Sequence, residues 1–219
     1  MTGSARALLD SVQQDLAPRE GGNRLVPLVR HGNAPRAVPA ALAAEEHRIV
    51  PCDWRSFLTL SARATDRPTR EFFAGLAAGE GAALNALPKL ARALGWDDDE
   101  VAAYRPAAGC QAYPAYMSWL ALHAEPADAA VAIVSNFAAW GGYCAEIAHG
   151  LRSHYGLSEQ DCEFFDLFAH PAAGAAEQAE AAVQAGLDAG KLTESTAREQ
   201  ARLFQEFELM FWNTLADAG

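Results

Sequence analysis

Apolar residues recur along this chain every three or four positions and almost nowhere alternate with polar ones, so the pattern predicts helices from end to end. From Ser4 to Leu16, the side chains of Leu8, Leu9, Val12 and Leu16 share one face, and Pro18 closes the segment. "REGGNR" reads as a loop. A second helix is expected from about Pro35 to Val50, where Pro51 interrupts it. Asp53 then caps the segment WRSFLTLSARA. Thr69 is a good start for a longer helix, in which Phe73, Leu76, Leu84, Leu87 and Leu94 line one face up to Gly95, with a kink at Pro88. "GWDDDEV" starts a short helix, "YRPAAGC" is a connector, and the helix after it carries Tyr113, Tyr116 and Trp119. The longest run spans about Ala127 to Tyr155, with Gly156 after its end. Ser158 opens another helix, Pro171 kinks or restarts the penultimate one, and "LTEST" opens the last.

Two carboxylates break this pattern. In the last helix Phe204, Phe207, Phe211 and Leu215 form one apolar stripe, and Glu208 points into it, four residues after Phe204 and three before Phe211. Glu80 sits between Leu76 and Leu84 on another apolar face, with Gly79 and Gly81 leaving room beside it. A buried carboxylate is costly, so it stays protonated or finds a partner. With Tyr116, Trp140, Tyr143, Phe168 and Phe207 as aromatic walls, Glu208 is the candidate for proton chemistry in a pocket for a flat ligand. The competing reading is a structural Glu paired with a buried polar group.

Composition narrows the function classes. The chain has 219 residues, enough for one domain spanning 1–219, and the alanine-rich, repeat-free sequence suggests an all-α, bundle-like fold. A net charge of −11 argues against nucleic acid, and the densest basic group, Arg63, Arg67 and Arg70, is diluted by Asp66 and Glu71. No apolar run suggests a membrane span, and the first residues read as amphipathic rather than signal-like, so the expectation is a cytoplasmic protein. Cys52, Cys110, Cys144 and Cys162 form no CxxC pair and are expected to be free thiols. Cys144 has no evident base beside it, and His47 next to Glu45 and Glu46 fits a solvated face.

"EIAH" places Glu146 and His149 one helical turn apart, a spacing that di-iron bundles use. A metal reading would take Glu80, Glu146 and His149, with Glu208, Asp166 and His170 also available, but the primary expectation is no cofactor. No phosphate-binding glycine loop and no GxSxG elbow are present.

Several stretches resemble the TenA (thiaminase II) family, within the haem oxygenase-like superfamily that includes PqqC. The carriers are "AYMSWLA", "SNFAAWGGYCAEIAHGL", "CEFFDLFAH" and, most specifically, "FELMFWNTL". The resemblance implies a haem oxygenase-like helical bundle, a homodimer or homotetramer, and a pocket for a small heterocyclic amine of the aminopyrimidine type. It implies that Glu208 is the terminal catalytic glutamate, with Glu46 or Glu45 matching an acidic residue of the second helix.

The chain departs from the family pattern in ways that bear on chemistry. Trp140 falls at the position of the family's nucleophilic cysteine, Cys144 falls where a pocket tyrosine is usual, and Phe168 replaces another. The expected activity is therefore carboxylate-driven attack by water, assisted by Glu208 and Glu46, on a C–N bond. The alternatives are a haem oxygenase-like oxidase or oxygenase, with or without metal, and a binding or regulatory protein that has lost chemistry.

Overall fold

The computed structural model describes residues 4–218. Its helices in chain order are α1 (Ala5–Asp15), α2 (Leu25–Arg30), α3 (Ala37–Arg63), α4 (Arg67–Ala93), α5 (Asp98–Ala103), α6 (Ala108–His123), α7 (Pro126–His154), α8 (Glu163–Ala169), α9 (Ala175–Asp188) and α10 (Glu194–Ala216). A single turn of 3-10 helix, Gln160–Cys162, leads into α8. Among the described residues there is no strand, and the architecture is the all-α single-domain bundle expected. No described helix is long and apolar enough to cross a membrane.

The boundaries correct the sequence reading at several points. Pro51 does not interrupt a helix: α3 runs through it to Arg63. The proline removes one backbone hydrogen bond, but burial of Val50, Phe57 and Leu60 along the same helix outweighs that loss. Asp53 is consequently not a cap but a buried residue inside α3. The cap of α4 is Asp66 rather than Thr69, its carboxylate accepting the Thr69 backbone N–H at 2.8 Å, and α4 is continuous through Pro88. Ser158 starts no α-helix. Its backbone N–H and hydroxyl donate to Asp161 just before the 3-10 turn. Pro171 separates α8 from α9. The short α2 was not expected, because its 6 residues are too few to display a period.

Helix α3 packs along α4, and α10 lies against both α6 and α7. Their apolar residues form two clusters stacked along the bundle rather than one. One contains Leu42, Val50, Ala83, Leu87, Cys144, Phe164 and Phe211, and the other contains Phe57, Phe73, Ala77, Val134, Ala201 and Phe204. On each long helix a polar residue falls where one cluster gives way to the other. Asp53 lies between Val50 and Phe57, Glu80 between Ala77 and Ala83, Asn136 between Val134 and Cys144, and Glu208 between Phe204 and Phe211. Glu80 is the midpoint of α4, and Trp140 is the midpoint of α7. The bundle therefore carries a polar layer at half height, bounded above and below by apolar packing.

The approach of α2 to α7 depends on Gly150, where a Cβ would stand 2.4 Å from the Val29 carbonyl oxygen and 2.7 Å from the Arg30 Cα. Gly142, on the outer face of the same helix, would meet nothing. Gly150→Ala is therefore expected to destabilise the fold by about 1–3 kcal/mol or more. Gly142→Ala should be neutral or stabilising by up to about 1 kcal/mol, both read from denaturant midpoints.

Candidate functional site

The polar layer holds four carboxyl groups on three helices: Glu46 and Asp53 from α3, Glu80 from α4 and Glu208 from α10. Asp53 lies seven positions after Glu46, about two helical turns, so both project from one face of α3. Glu208 is 1% exposed, and both of its oxygens are occupied. Trp212, one turn further along α10, donates its indole N–H to Oε1 at 2.7 Å, and Asn136 of α7 donates its amide to Oε2. Two N–H donors favour the ionised form and oppose the effect of burial, and Glu208 settles at a pKa of about 7.

Of the other three acids, Asp53 has one hydroxyl donor, Tyr113, and Glu46 and Glu80 have none among the described residues. Burial pushes Glu46 well above the usual carboxylate range, and the charges of Asp53, Glu45 and Glu208 add to the rise. Glu80 is raised by burial and then by Asp53 and Glu46. Asp53 is raised by burial to about 8, with the hydroxyl of Tyr113 on α6 opposing part of the shift. Oε1 of Glu46 and Oδ1 of Asp53 are buried, and no protein atom hydrogen-bonds to them. The layer thus contains one carboxyl held by two N–H donors and three whose neutral form is favoured.

Trp140 forms one wall. Its indole lies parallel to the Tyr113 ring with centroids 6.4 Å apart, tilts against Trp212 at 5.3 Å, and meets Phe168 edge-on at 5.7 Å. Tyr143 packs edge-on against Trp212, and its hydroxyl is raised in pKa by burial and by Glu208. Cys144 is buried within electrostatic reach of Glu46 and Glu208, and burial followed by those two charges keeps its thiol firmly protonated. Beyond Tyr143 stands Asn23, whose side chain lines a surface cleft of about 440 Å³ with Arg24, Pro27 and His31.

Most of the residues expected from the sequence gather here: Glu208, Glu46, Glu80, Trp140, Tyr143, Cys144 and Phe168. Tyr116 and Phe207 do not. They pack on each other at 5.0 Å, Tyr116 stacks on Trp119, and its charged neighbours are Glu199 and Arg202, so the pair belongs to the α6–α10 surface. Glu45 and Glu46 point in different directions. Glu45 turns away and accepts from Tyr104 Oη at 2.9 Å, Ala107 N at 2.7 Å and Gln111 Nε2 at 2.7 Å, tying down the start of α6, whereas Glu46 faces the layer.

The alternative metal ligands are not assembled. Glu80 is buried with Asp53 and Glu46, Glu146 is half-exposed and ion-paired with Arg30, and His149 is exposed. Asp166 pairs with Arg152, and His170 is exposed. Among the described residues, no three His, Cys, Asp or Glu side chains converge in a way that would hold a metal ion. Four layer residues escaped the sequence reading: Asp53, Tyr113, Asn136 and Trp212. A helix carried through Pro51 would have put Asp53 on the face of Glu46, and Trp212 is one turn from Glu208 in the pattern already recognised.

Comparison with known proteins places the fold in a class. Solved structures of similar shape include a TenA homologue protein from P. horikoshii OT3, with a TM-score of 0.70 at 15% identity over 98% of this chain and 97% of that one. A domain of unknown function with a heme oxygenase-like fold from Shewanella denitrificans OS217 has a TM-score of 0.69 at 17% identity over 97% of this chain and 88% of that one. A TenA family transcription regulator from Silicibacter sp. TM1040 has a TM-score of 0.69 at 15% identity over 98% and 97% of the two chains. At these identities the likeness is one of fold, and the fold is haem oxygenase-like. The TENA/THI-4/PQQC family model matches residues 25–218, and the chain belongs to that family. No curated protein matches the chain.

The clamp on Glu208 has a pH consequence. Asp53 and Glu208 both have folded pKa values above their ordinary ones, so the folded chain binds more protons than the unfolded chain between about pH 4 and pH 8. Their contribution to stability is complete below that window and is lost as pH rises through it. The thermal midpoint is expected to fall between about pH 5 and pH 8, and Asp53→Asn should flatten that decline in a calorimetric series. Trp212→Phe removes one donor and should move the Glu208 titration further upward.

Proposed function

We propose that this chain is a cytoplasmic, self-associating TenA-like hydrolase or deaminase that cleaves a C–N bond of a small heterocyclic amine, of the aminopyrimidine type, by carboxylate acid–base catalysis. The observation that carries the reading is the contrast between two buried carboxyl groups of one layer. Glu208 is held by two N–H donors, and Glu46 has a free oxygen and no donor. Acid–base sites arise where two titratable groups are pushed apart by their surroundings.

In this mechanism ionised Glu208 takes a proton from water as the water oxygen attacks the carbon bearing the amine. Neutral Glu46 gives its proton to the leaving nitrogen, the C–N bond breaks, and amine or ammonia departs. Glu208 is then protonated and Glu46 ionised, and return of the proton from Glu208 to Glu46 restores both groups. No covalent intermediate is needed. The protonated thiol of Cys144 is a poor nucleophile, and the position the family uses for one carries Trp140 in this chain. Self-association as a dimer or tetramer is supported by the exposed large apolar residues Trp54 and Leu58 on α3 and Trp119 and Leu122 on α6, the two helices being in contact.

A binding-only role is favoured by one observation, the packing of Trp140 against Tyr113, Phe168 and Trp212 at the wall of the layer. Turnover separates the two. Release of ammonia or amine from aminomethyl- and formylaminomethyl-pyrimidines is expected from the wild type, and Glu208→Gln should reduce kcat at least about 100-fold while leaving pyrimidine binding within a few-fold. Turnover by the variant at the wild-type rate would overturn the catalytic reading, and pyrimidine binding without turnover in either protein would establish the binding one.

A further inference from the structure

Glu208 and Glu46 are each 1% exposed and Cys144 is 0% exposed, so a ligand reaches them only if part of the wall around the layer moves. Two wall residues of α7 differ in how firmly they are held. Trp140 is fixed by rings from three other helices, Tyr113 of α6, Phe168 of α8 and Trp212 of α10. Tyr143 is partly exposed, and among the described residues its ring has one aromatic partner, Trp212, which it meets edge-on at 5.8 Å. Its hydroxyl faces Asn23, which lines the cleft of about 440 Å³ beside α2. The Asn23 oxygen accepts the Val26 N–H at 3.1 Å. The Asn23 amide nitrogen is directed at the Tyr143 hydroxyl but closes no hydrogen bond of ordinary geometry with it. Tyr143 therefore stands, weakly latched, between the cleft and Trp212, the indole that clamps Glu208.

The backbone that carries Tyr143 is weak at the same point. Gly141 and Gly142, near the middle of α7, are the one pair of adjacent glycines inside a helix among the described residues. Each weakens a helix roughly fivefold relative to alanine. Gly141 answers a close approach, since a Cβ there would stand 3.1 Å from the Phe168 carbonyl oxygen, whereas a Cβ on Gly142 would meet nothing within 4 Å. We propose that Tyr143 is the gate of the layer: the turn around Gly142 opens locally, the Tyr143 ring swings off Trp212, and a planar ligand passes from the cleft at Asn23 to Glu208. The cleft is of a size that holds one small heterocycle. The gate rests on the catalytic reading for what passes through it, but the opening itself is a property of the free protein.

Access is read at Cys144, which is buried in the layer and follows Tyr143 in the chain. Iodoacetamide alkylates this thiol only when the wall opens, and peptide mass spectrometry gives its rate in increasing urea below the unfolding transition. A local gate exposes little surface, so the Cys144 rate is expected to be independent of urea in this range, whereas a thiol freed by global unfolding gains reactivity as steeply as the transition itself. Gly142→Ala should slow the urea-independent rate roughly fivefold, and Tyr143→Ala should speed it at least about tenfold. If Tyr143→Ala does not fold, Gly142→Ala decides, because its added methyl group meets nothing. In stopped-flow mixing with an aminomethylpyrimidine, Gly142→Ala should slow association and release by the same factor and leave Kd within about twofold. A Cys144 rate that climbs with urea like global unfolding, or a urea-independent rate that neither variant moves, would overturn the gate. Gated alkylation without pyrimidine turnover would keep the gate and sink the catalytic reading, and turnover with Cys144 access indifferent to both variants would do the reverse.

Discussion

Four carboxyl groups buried in the middle region of a helical bundle, with no basic side chain among their neighbours in the described residues, set the terms for the rest of this molecule. Each ionised carboxylate there would be poorly solvated and repelled by its neighbours, so the bundle tolerates the set only if most members stay neutral. The two N–H donors, Trp212 and Asn136, are both spent on Glu208, which decides where ionisation is least costly. The division of the core into two apolar clusters follows from the same constraint. A hydrophobe could have filled each of these four positions, and the apolar residues flanking Asp53, Glu80 and Glu208 indicate that the helices would pack without the acids. Buried groups of this kind are what the proposed acid–base reading draws on.

The chemistry available to the layer follows from asymmetry within it. A base and an acid must differ in protonation at one pH, and here the difference comes from hydrogen bonding to Glu208 and its absence at the free oxygen of Glu46. The aromatic wall contributes desolvation, which sharpens that difference, and it supplies flat surfaces suited to a planar ligand. Burial and two neighbouring carboxylates keep the thiol of Cys144 from adding a nucleophile to the set.

The sequence revealed the site in proportion to how local its signals were. Glu208 and Glu80 stood out because each interrupts a helical apolar stripe, a contrast visible within two turns. Asp53 was hidden by Pro51. Local rules end a helix there, and only long-range packing of α3 against α4 and α6 carries it through. Tyr113 and Asn136 reach the layer from α6 and α7, and their direction is a property of how helices pack, which spacing alone does not give. The same limit explains Tyr116 and Phe207, which share helices with layer residues but face the α6–α10 surface. Glu45 and Glu46 differ by roughly 100° of rotation around one helix, which spacing in the sequence leaves open, and three donors hold Glu45 at the start of α6.

The most direct measurement of the central claim is a titration of side-chain carboxyl carbons by NMR in protein labelled at aspartate and glutamate. Resonances removed by Glu208→Gln and by Asp53→Asn should be among those that titrate above about pH 6, with Glu208 near 7 and Asp53 near 8, well apart from surface carboxyls near pH 4. Titration of every carboxyl near pH 4 would mean that the layer is hydrated and fully charged, and the division of labour between Glu208 and its neighbours would not exist.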